Sequence, residues 1–245
     1  MLEYKDVSLR LDGACILDSI SFRLRPGGLT ALVGRNGSGK STLLACLDGM
    51  PYKGTVLLNG QDLKKVPPRR RARMAAILHQ DLAAPRLTVR ELASFGRQPY
   101  LDFTGRLTPW DREAVERSLR DARVLELAER RVDTLSGGER QRAYLAMVLA
   151  QETELLLLDE PGAHLDRAWE ASFLELLTGL EEKTVLLAIH DLDAAVRYAR
   201  DILVLDGGKL IFSGTVEECL QQQILEKTFR LRRYTAEEGR IFFAP

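Results

Sequence analysis

An α/β fold built on a parallel sheet follows from three observations. Short unbroken apolar runs stop at polar residues, a glycine-rich loop follows the first run, and a long helical stretch separates the first run from the second. Leu29-Thr30-Ala31-Leu32-Val33 leads into the glycine loop, Leu155 to Leu158 into Asp159-Glu160, and Val185 to Ile189 into His190. Runs of this kind suit strands buried on both faces, as in a parallel sheet, rather than the alternating pattern of a half-solvated one. Ligands of open α/β sheets bind beyond the carboxyl ends of the strands, so the polar groups ending these runs are expected to converge there. A fourth run, Ile202 to Leu205, closes at Asp206-Gly207-Gly208, a turn leading into Lys209-Leu210-Ile211-Phe212.

The loop after the first run, Gly34-Arg35-Asn36-Gly37-Ser38-Gly39-Lys40-Ser41 with Thr42 next, fits G-x-x-x-x-G-K-[ST]. Glycines admit close approach of the backbone, successive N–H groups face phosphate, and the following helix offers its positive end. In a nucleoside triphosphate site Lys40 would reach the β- and γ-phosphates and Ser41 would hold Mg²⁺. A chance glycine turn is the alternative, but strand, loop and helix come in the order the motif requires.

The intervening stretch is polar and helical. Thr108-Pro109-Trp110-Asp111 opens a helix, with Thr as cap, Pro at the first helical position and Asp closing a capping box. Ala114, Val115, Leu119, Ala122 and Leu125 follow at helical spacing. Ser136 and Glu139 form a second capping box, opening a helix through Tyr144 and Leu149. The organisation expected is a sheet core interrupted by a helical insertion at roughly 85–150.

Four more groups carry chemistry if they meet the loop. Of Asp159 and Glu160, one carboxylate would hold Mg²⁺, directly or through water, and the next would orient or deprotonate an attacking water. His190 taken alone reads more readily as structural, yet at the same sheet edge as Lys40 and Glu160 it becomes a γ-phosphate contact. Gln80, in Ile77-Leu78-His79-Gln80-Asp81, means little alone. Ser136-Gly137-Gly138 is either an ordinary helix cap or a second anion site, with a hydroxyl, two unobstructed amides and a helix dipole. Two phosphate sites but one lysine loop suggest a head-to-tail dimer that sandwiches each nucleotide between one chain's Lys40 loop and the other's Ser136 loop.

Bulk properties narrow the partners. Lys+Arg and Asp+Glu are both 35, so no net field draws the chain to nucleic acid or an anionic bilayer. The three cysteines, Cys15, Cys46 and Cys219, are far apart and fit neither a disulfide framework nor a zinc site, which suggests a reducing compartment. The first ten residues, MLEYKDVSLR, lack the apolar run of a signal peptide, and no run reaches the ~18 apolar residues of a membrane-spanning helix. A cytoplasmic location is expected, with any membrane role exercised through a partner.

Taken together, these motifs resemble those of the ATP-binding cassette (ABC) ATPases, the motor subunits of ABC transporters. GRNGSGKST is similar to their Walker A and LSGGERQR to their signature; LLLLDEP is similar to their Walker B, with Glu160 as the catalytic glutamate. Gln80 matches the Q-loop glutamine, Asp166 the D-loop and His190 the switch histidine; the match spans residues 1 to about 220. The resemblance implies a P-loop NTPase (RecA-like) core with a small antiparallel β-subdomain and a helical subdomain insertion, in a single nucleotide-binding domain. Its core would occupy about 1–84 and 151–225, the helical subdomain about 85–150 and a tail 226–245. It implies ATP as substrate and Mg²⁺ held by Ser41, Gln80 and Asp159. Asp166, Ser136, Gly137 and Gly138 would contact nucleotide, and Gln80, Glu160 and His190 would take part in hydrolysis. The implied partners are a second copy of the chain in an ATP-sandwich homodimer, an integral-membrane permease docked near the Q-loop and, indirectly, an extracytoplasmic binding protein. The place implied is the inner face of the cell membrane. Thr88-Val89-Arg90-Glu91-Leu92 and Phe95-Gly96-Arg97-Gln98-Pro99-Tyr100, with Ala143 to Gln151 and His190-Asp191-Leu192, are similar to the iron–siderophore, haem and cobalamin importer group.

Three positions depart from the family pattern. Leu11 stands where an aromatic residue usually stacks on adenine, a loss of about 1 kcal/mol on the scale of aromatic pairing. Glu139 replaces the commoner signature glutamine, and Gly162 replaces the usual Ser or Thr after Asp-Glu-Pro. None removes a group needed for hydrolysis. The rival readings are a soluble ABC ATPase without a permease, serving cofactor assembly or repair, and a nucleotide-binding regulatory subunit that does not turn over.

Overall fold

The computed structural model describes residues 1–80, 82–161, 167–180, 182–236 and 240–244. In chain order the elements begin with β1 (Leu2–Leu11), β2 (Ala14–Arg23), β3 (Gly28–Gly34), α1 (Lys40–Ala45), β4 (Lys53–Leu58) and β5 (Gln61–Asp62). Next come α2 (Pro68–Arg71), β6 (Ala75–Leu78), α3 (Val89–Ser94), α4 (Pro109–Asp121), α5 (Gly137–Ala150), β7 (Leu155–Asp159) and α6 (Arg167–Thr178). The last are β8 (Thr184–Ala188), α7 (Leu192–Tyr198), β9 (Asp201–Asp206), β10 (Lys209–Thr215), α8 (Val216–Gln221), α9 (Ile224–Phe229), β11 (Arg232–Thr235) and β12 (Ile241–Ala244). They fall into two compact units, one of Met1–Val66 with Leu177–Pro245, the other of Pro67–Leu176.

The first unit holds two layers of strand. In one, β8 and β9 flank β3 and run parallel to it, while β10 returns antiparallel to β9 across the predicted Asp206-Gly207-Gly208 turn. β3 is buried from Leu29 to Gly34 and β8 from Val185 to Ala188, as expected for strands covered on both faces. The other is an antiparallel sheet ordered β2-β1-β4-β5. Leu2, Tyr4, Val7 and Leu9 of β1 are buried while its polar residues are largely exposed, the half-covered pattern of such sheets. The Tyr4 hydroxyl donates to the Leu43 carbonyl at 2.7 Å, fixing this sheet to α1. Burial raises its phenol well above the ordinary tyrosine value.

In the second unit β6 pairs parallel with the fully buried β7, and α5 packs against β6, α3 and α4. Both capping boxes expected from the sequence form. The Thr108 hydroxyl accepts from the Asp111 N–H, Ser136 does so from Glu139, and each carboxylate takes its cap's N–H in return. Thr88/Glu91 opens α3 in the same way. Arg97 is the hub: 2% exposed, it donates to Asp111 at 2.9 Å, to the Ala150 carbonyl at 2.7 Å and to Glu152 at 2.8 Å. Its guanidinium lies 4.1 Å from the Tyr100 ring centroid. Both helix ends that meet it, the start of α4 and the finish of α5, are thereby tied down in the interior. Asp111 feels burial, which raises its carboxyl, but the Thr108 and Arg97 hydrogen bonds outweigh this and hold it below the ordinary carboxylate value.

Candidate functional site

The glycine loop leaves β3 at Gly34 and enters α1 at Lys40. Its turn is closed by the Ser38 N–H donating to the Arg35 carbonyl at 3.0 Å, and α1 begins with Leu43 N–H on Gly39 at 2.8 Å. Gly34 and Gly39 both demand glycine, and at Gly39 the backbone conformation requires it too. The φ of Gly39 is +101°, and a Cβ there would lie 2.8 Å from the Leu17 side chain and 3.0 Å from the Ile16 carbonyl oxygen. Strand β2 therefore presses directly on the loop. Arg35, Asn36 and Gly37 are exposed at the tip, Ser41 is exposed and Thr42 half-buried on the helix.

Lys40 is only 5% exposed, and its ammonium donates to the Gly34 carbonyl at 3.0 Å, folded back across the loop it belongs to. The Ser38 hydroxyl is buried and has no hydrogen-bond partner among the described residues. A buried polar group with no partner costs free energy unless something fills its bonding capacity. A buried cation and an orphaned hydroxyl on one loop are what a bound phosphate would satisfy.

Parallel register places two pairs of predicted residues. Leu32 of β3 pairs with Ala188 of β8, so Gly34 and His190, each two residues further on, leave the same edge of the first unit. The Ile189 N–H donates to the Leu32 carbonyl at 3.1 Å and carries that pairing to the residue before His190. His190 itself is exposed. In the second unit Leu78 of β6 pairs with Leu158 of β7, so Gln80 and Glu160 likewise leave one edge together. Asp159 is 7% exposed at the end of β7. Glu160 has a φ of +47°, the left-handed region that a long side chain seldom adopts. Strain of this kind collects at functional sites. Asp166 and Gly162 lie outside the described residues.

Ser136 is exposed at the start of the 14-residue α5. Its hydroxyl oxygen accepts from the Glu139 N–H at 3.3 Å, and its N–H donates to Glu139 at 2.8 Å. First the Ser136 backbone N–H, then its hydroxyl, holds the Glu139 carboxyl below the ordinary glutamate value. Arg130 braces the same corner, 3.3 Å from Glu139 and 3.1 Å from the Thr134 carbonyl. The departure from glutamine at 139 thus supplies a charged cap. Gly137 is half-buried, and Gly138 has a steric task that sequence reasoning missed: a Cβ on it would fall 2.2 Å from the Trp169 indole nitrogen. Trp169, stacked on Phe173 at 4.9 Å between centroids, lies against the helix start. The missing Cβ serves the interior as well as any ligand. Leu11, at the end of β1, is 41% exposed and presents an aliphatic surface in place of a ring.

Among the described residues, no helix is long and apolar enough to cross a membrane. The family model described as ABC transporter matches residues 17–163, more than half of the chain. The chain is 40% identical over 222 residues to the Iron(3+)-hydroxamate import ATP-binding protein FhuC of Bacillus subtilis (strain 168), covering 88% of this chain and 82% of that protein. It is 38% identical over 223 residues to the Ferric enterobactin transport ATP-binding protein FepC of Escherichia coli (strain K12), covering 89% and 82%. Among solved structures, cbiO1 from Clostridium perfringens, part of the ABC transporter complex cbiONQ, superimposes with a TM-score of 0.79 at 26% identity, over 92% of each chain. The likeness runs through the Lys40 loop, the Ser136 helix start and the strand ending at Asp159, and the chain belongs to the ABC transporter family, among its ATP-binding, ATP-hydrolysing subunits.

Proposed function

We propose that this chain powers a membrane importer for iron chelates of the siderophore kind by closing and reopening a head-to-tail dimer around ATP. The relatives' names support the cargo class. The observation that carries the mechanism is the paired register: Gly34 with His190 at one sheet edge, Gln80 with Glu160 at another. Within each unit, main-chain pairing carries two of the expected residues off neighbouring strand ends, which supports this reading.

Lys40 binds the β- and γ-phosphates, the buried Ser38 hydroxyl completes their hydrogen bonding, and His190 reaches the γ-phosphate. Glu160 orients the attacking water and draws on its proton. Phosphoryl transfer to water depends mostly on such positioning and on electrostatics. Ser41, Gln80 and Asp159 each carry an oxygen donor of the kind Mg²⁺ prefers and are the residues that would hold it, and the ion would neutralise charge on the phosphates when bound. Ser136 and Gly137, at the dipole-positive start of α5, contact the γ-phosphate of the partner copy's nucleotide. ATP therefore holds two copies together, and hydrolysis releases them. A RecA-like core of about 1–84 and 151–225, a helical subdomain of about 85–150 and a tail 226–245 divide this work. The chain sits at the inner face of the membrane on its permease, and an extracytoplasmic binding protein delivers cargo on the other side.

Glu160→Gln tests the scheme. The amide keeps the shape but not the charge, so ATP binding is retained, turnover falls by two or more orders of magnitude, and the dimer accumulates on size-exclusion chromatography with ATP and Mg²⁺. A variant that stays monomeric at high concentration overturns the sandwich. Co-purification of a polytopic membrane protein separates the importer reading from that of a soluble ATPase.

A further inference from the structure

His190 is followed at once by a short helix, and the far end of the chain is fastened to that helix. Asp191 caps α7, its carboxylate accepting from the Ala194 N–H at 3.0 Å. Asp193, in the first turn, makes a different bond. Its carboxylate accepts the backbone N–H of Phe243, in β12, at 2.9 Å across fifty residues of sequence. Strand β12 packs along α7, with Ile241 and Phe243 half-buried and Phe242 between them exposed.

The hairpin that carries β12 is anchored on its other side too. β11 and β12 pair from Arg232↔Ala244 to Thr235↔Ile241, and Ala236 N–H donates to Arg240 at 2.9 Å to close it. Arg233 of β11 donates to the Leu220 carbonyl of α8 at 2.9 Å and lies 3.3 Å from Glu226 of α9. The hairpin thus straps α7 to the two helices that follow the sheet. An isolated two-stranded hairpin is marginal in water, so these attachments are what hold it in place. The same reasoning applies to α7, only seven residues long and too short to persist without tertiary support.

We infer that the C-terminal hairpin is a positioning brace for His190, acting through the Asp193 carboxylate and the Phe243 N–H. His190 sits between two fixed points. Behind it, Ile189 N–H is tied to β3; ahead of it, Asp193 is tied to β12. Removing the second tie frees the start of α7 and with it the imidazole, while the Lys40 loop, held by β3 and β2, is untouched. The inference rests on the reading of His190 as a γ-phosphate contact and gives Asp193 a part in hydrolysis without contact to substrate.

The test uses steady-state ATP hydrolysis and equilibrium ATP binding by the full-length chain. Asp193→Ala is expected to lower kcat about tenfold, the scale of one hydrogen bond to a charged group, with KM and ATP affinity within about twofold. Asp193→Asn keeps an acceptor oxygen and is expected to restore most of kcat, a rescue that a merely structural deficit would not show. Phe243→Pro removes the same bond from the other side, at a strand edge where proline is tolerated, and should match Asp193→Ala without adding to it. His190→Ala is run in parallel. If it abolishes turnover while Asp193→Ala and Phe243→Pro keep full kcat, the brace is wrong and the His190 reading stands. If His190→Ala itself keeps full kcat, the His190 reading falls and takes the brace with it. A parallel loss of ATP affinity in Asp193→Ala also overturns the inference, because it would mean general damage to the unit.

Discussion

Leu11 and Lys40 are proposed to bound the nucleotide site at its two ends, and each carries a separable expectation. Lys40 is buried and folded onto Gly34, so its charge is already held inside the loop where the β- and γ-phosphates would lie. Lys40→Ala is expected to abolish ATP retention in equilibrium binding, since the loop's other side chains supply no cation to its interior. In that reading Leu11 offers the base an aliphatic surface and no π face. GTP is expected to support hydrolysis within about tenfold of ATP, and Leu11→Tyr to tighten ATP binding about fivefold, the equivalent of ~1 kcal/mol of stacking. Strong ATP preference in the native protein, with no gain from Leu11→Tyr, would show that another residue holds the base. Both residues were legible in the sequence, one from a motif and one from a break in a pattern. Ser38 was legible only as a member of the loop. Its orphaned hydroxyl depends on how the turn closes over it, which no spacing in the sequence encodes.

Helix starts are the elements most exposed to single changes, and the Ser136/Glu139 box opens the helix on which the dimer interface is proposed to depend. Glu139→Ala removes a cap and is expected to cost about 1 kcal/mol, or about 2–4 °C in Tm for a chain of this size. The carboxyl is held below its ordinary value when folded, so its contribution is fully present at neutral pH and is lost as pH falls through that depressed value. The gap in stability between Glu139→Ala and the native chain should therefore be constant near neutrality and close below about pH 4 in denaturant titrations. A gap that widens on acidification would mean the carboxylate is not the stabilising species. Buried strands and two capping boxes could be read from the chain because their patterns are local: four leucines before Asp159, Thr or Ser three residues ahead of an acid. The boxes at Thr88/Glu91 and Thr215/Glu218 carry the same local signal, but each opens a helix of only six residues, too short for an apolar periodicity to mark it. The β11–β12 hairpin had no such signal. Every residue of β11 is exposed, so neither apolar alternation nor a buried run marks it.

At the scale of the whole molecule, the contacts that matter join segments far apart in sequence, and these were the least legible. Arg97 meets Asp111 and Glu152 where the start of α4 and the end of α5 converge, and Gly138 of α5 meets Trp169 of α6; each partner alone is an ordinary residue. Assembly is tested on the same helix. Ser136→Arg places a bulky cation where the partner's γ-phosphate is proposed to sit. It is expected to block ATP-dependent dimerisation and reduce turnover by at least tenfold, while ATP binding to the monomer is unchanged. Full ATPase activity in that variant would leave this segment as a helix cap and no more. The Trp169 packing has an optical consequence. The chain has two tryptophans, and Trp110 is 65% exposed while Trp169 is pressed against the start of α5. Their emission should differ in colour and in access to a dissolved quencher. With Trp110 replaced by phenylalanine, the remaining indole becomes a built-in lamp beside the start of α5, and its intensity during mixing with ATP would time the arrival of the proposed second copy without any attached dye.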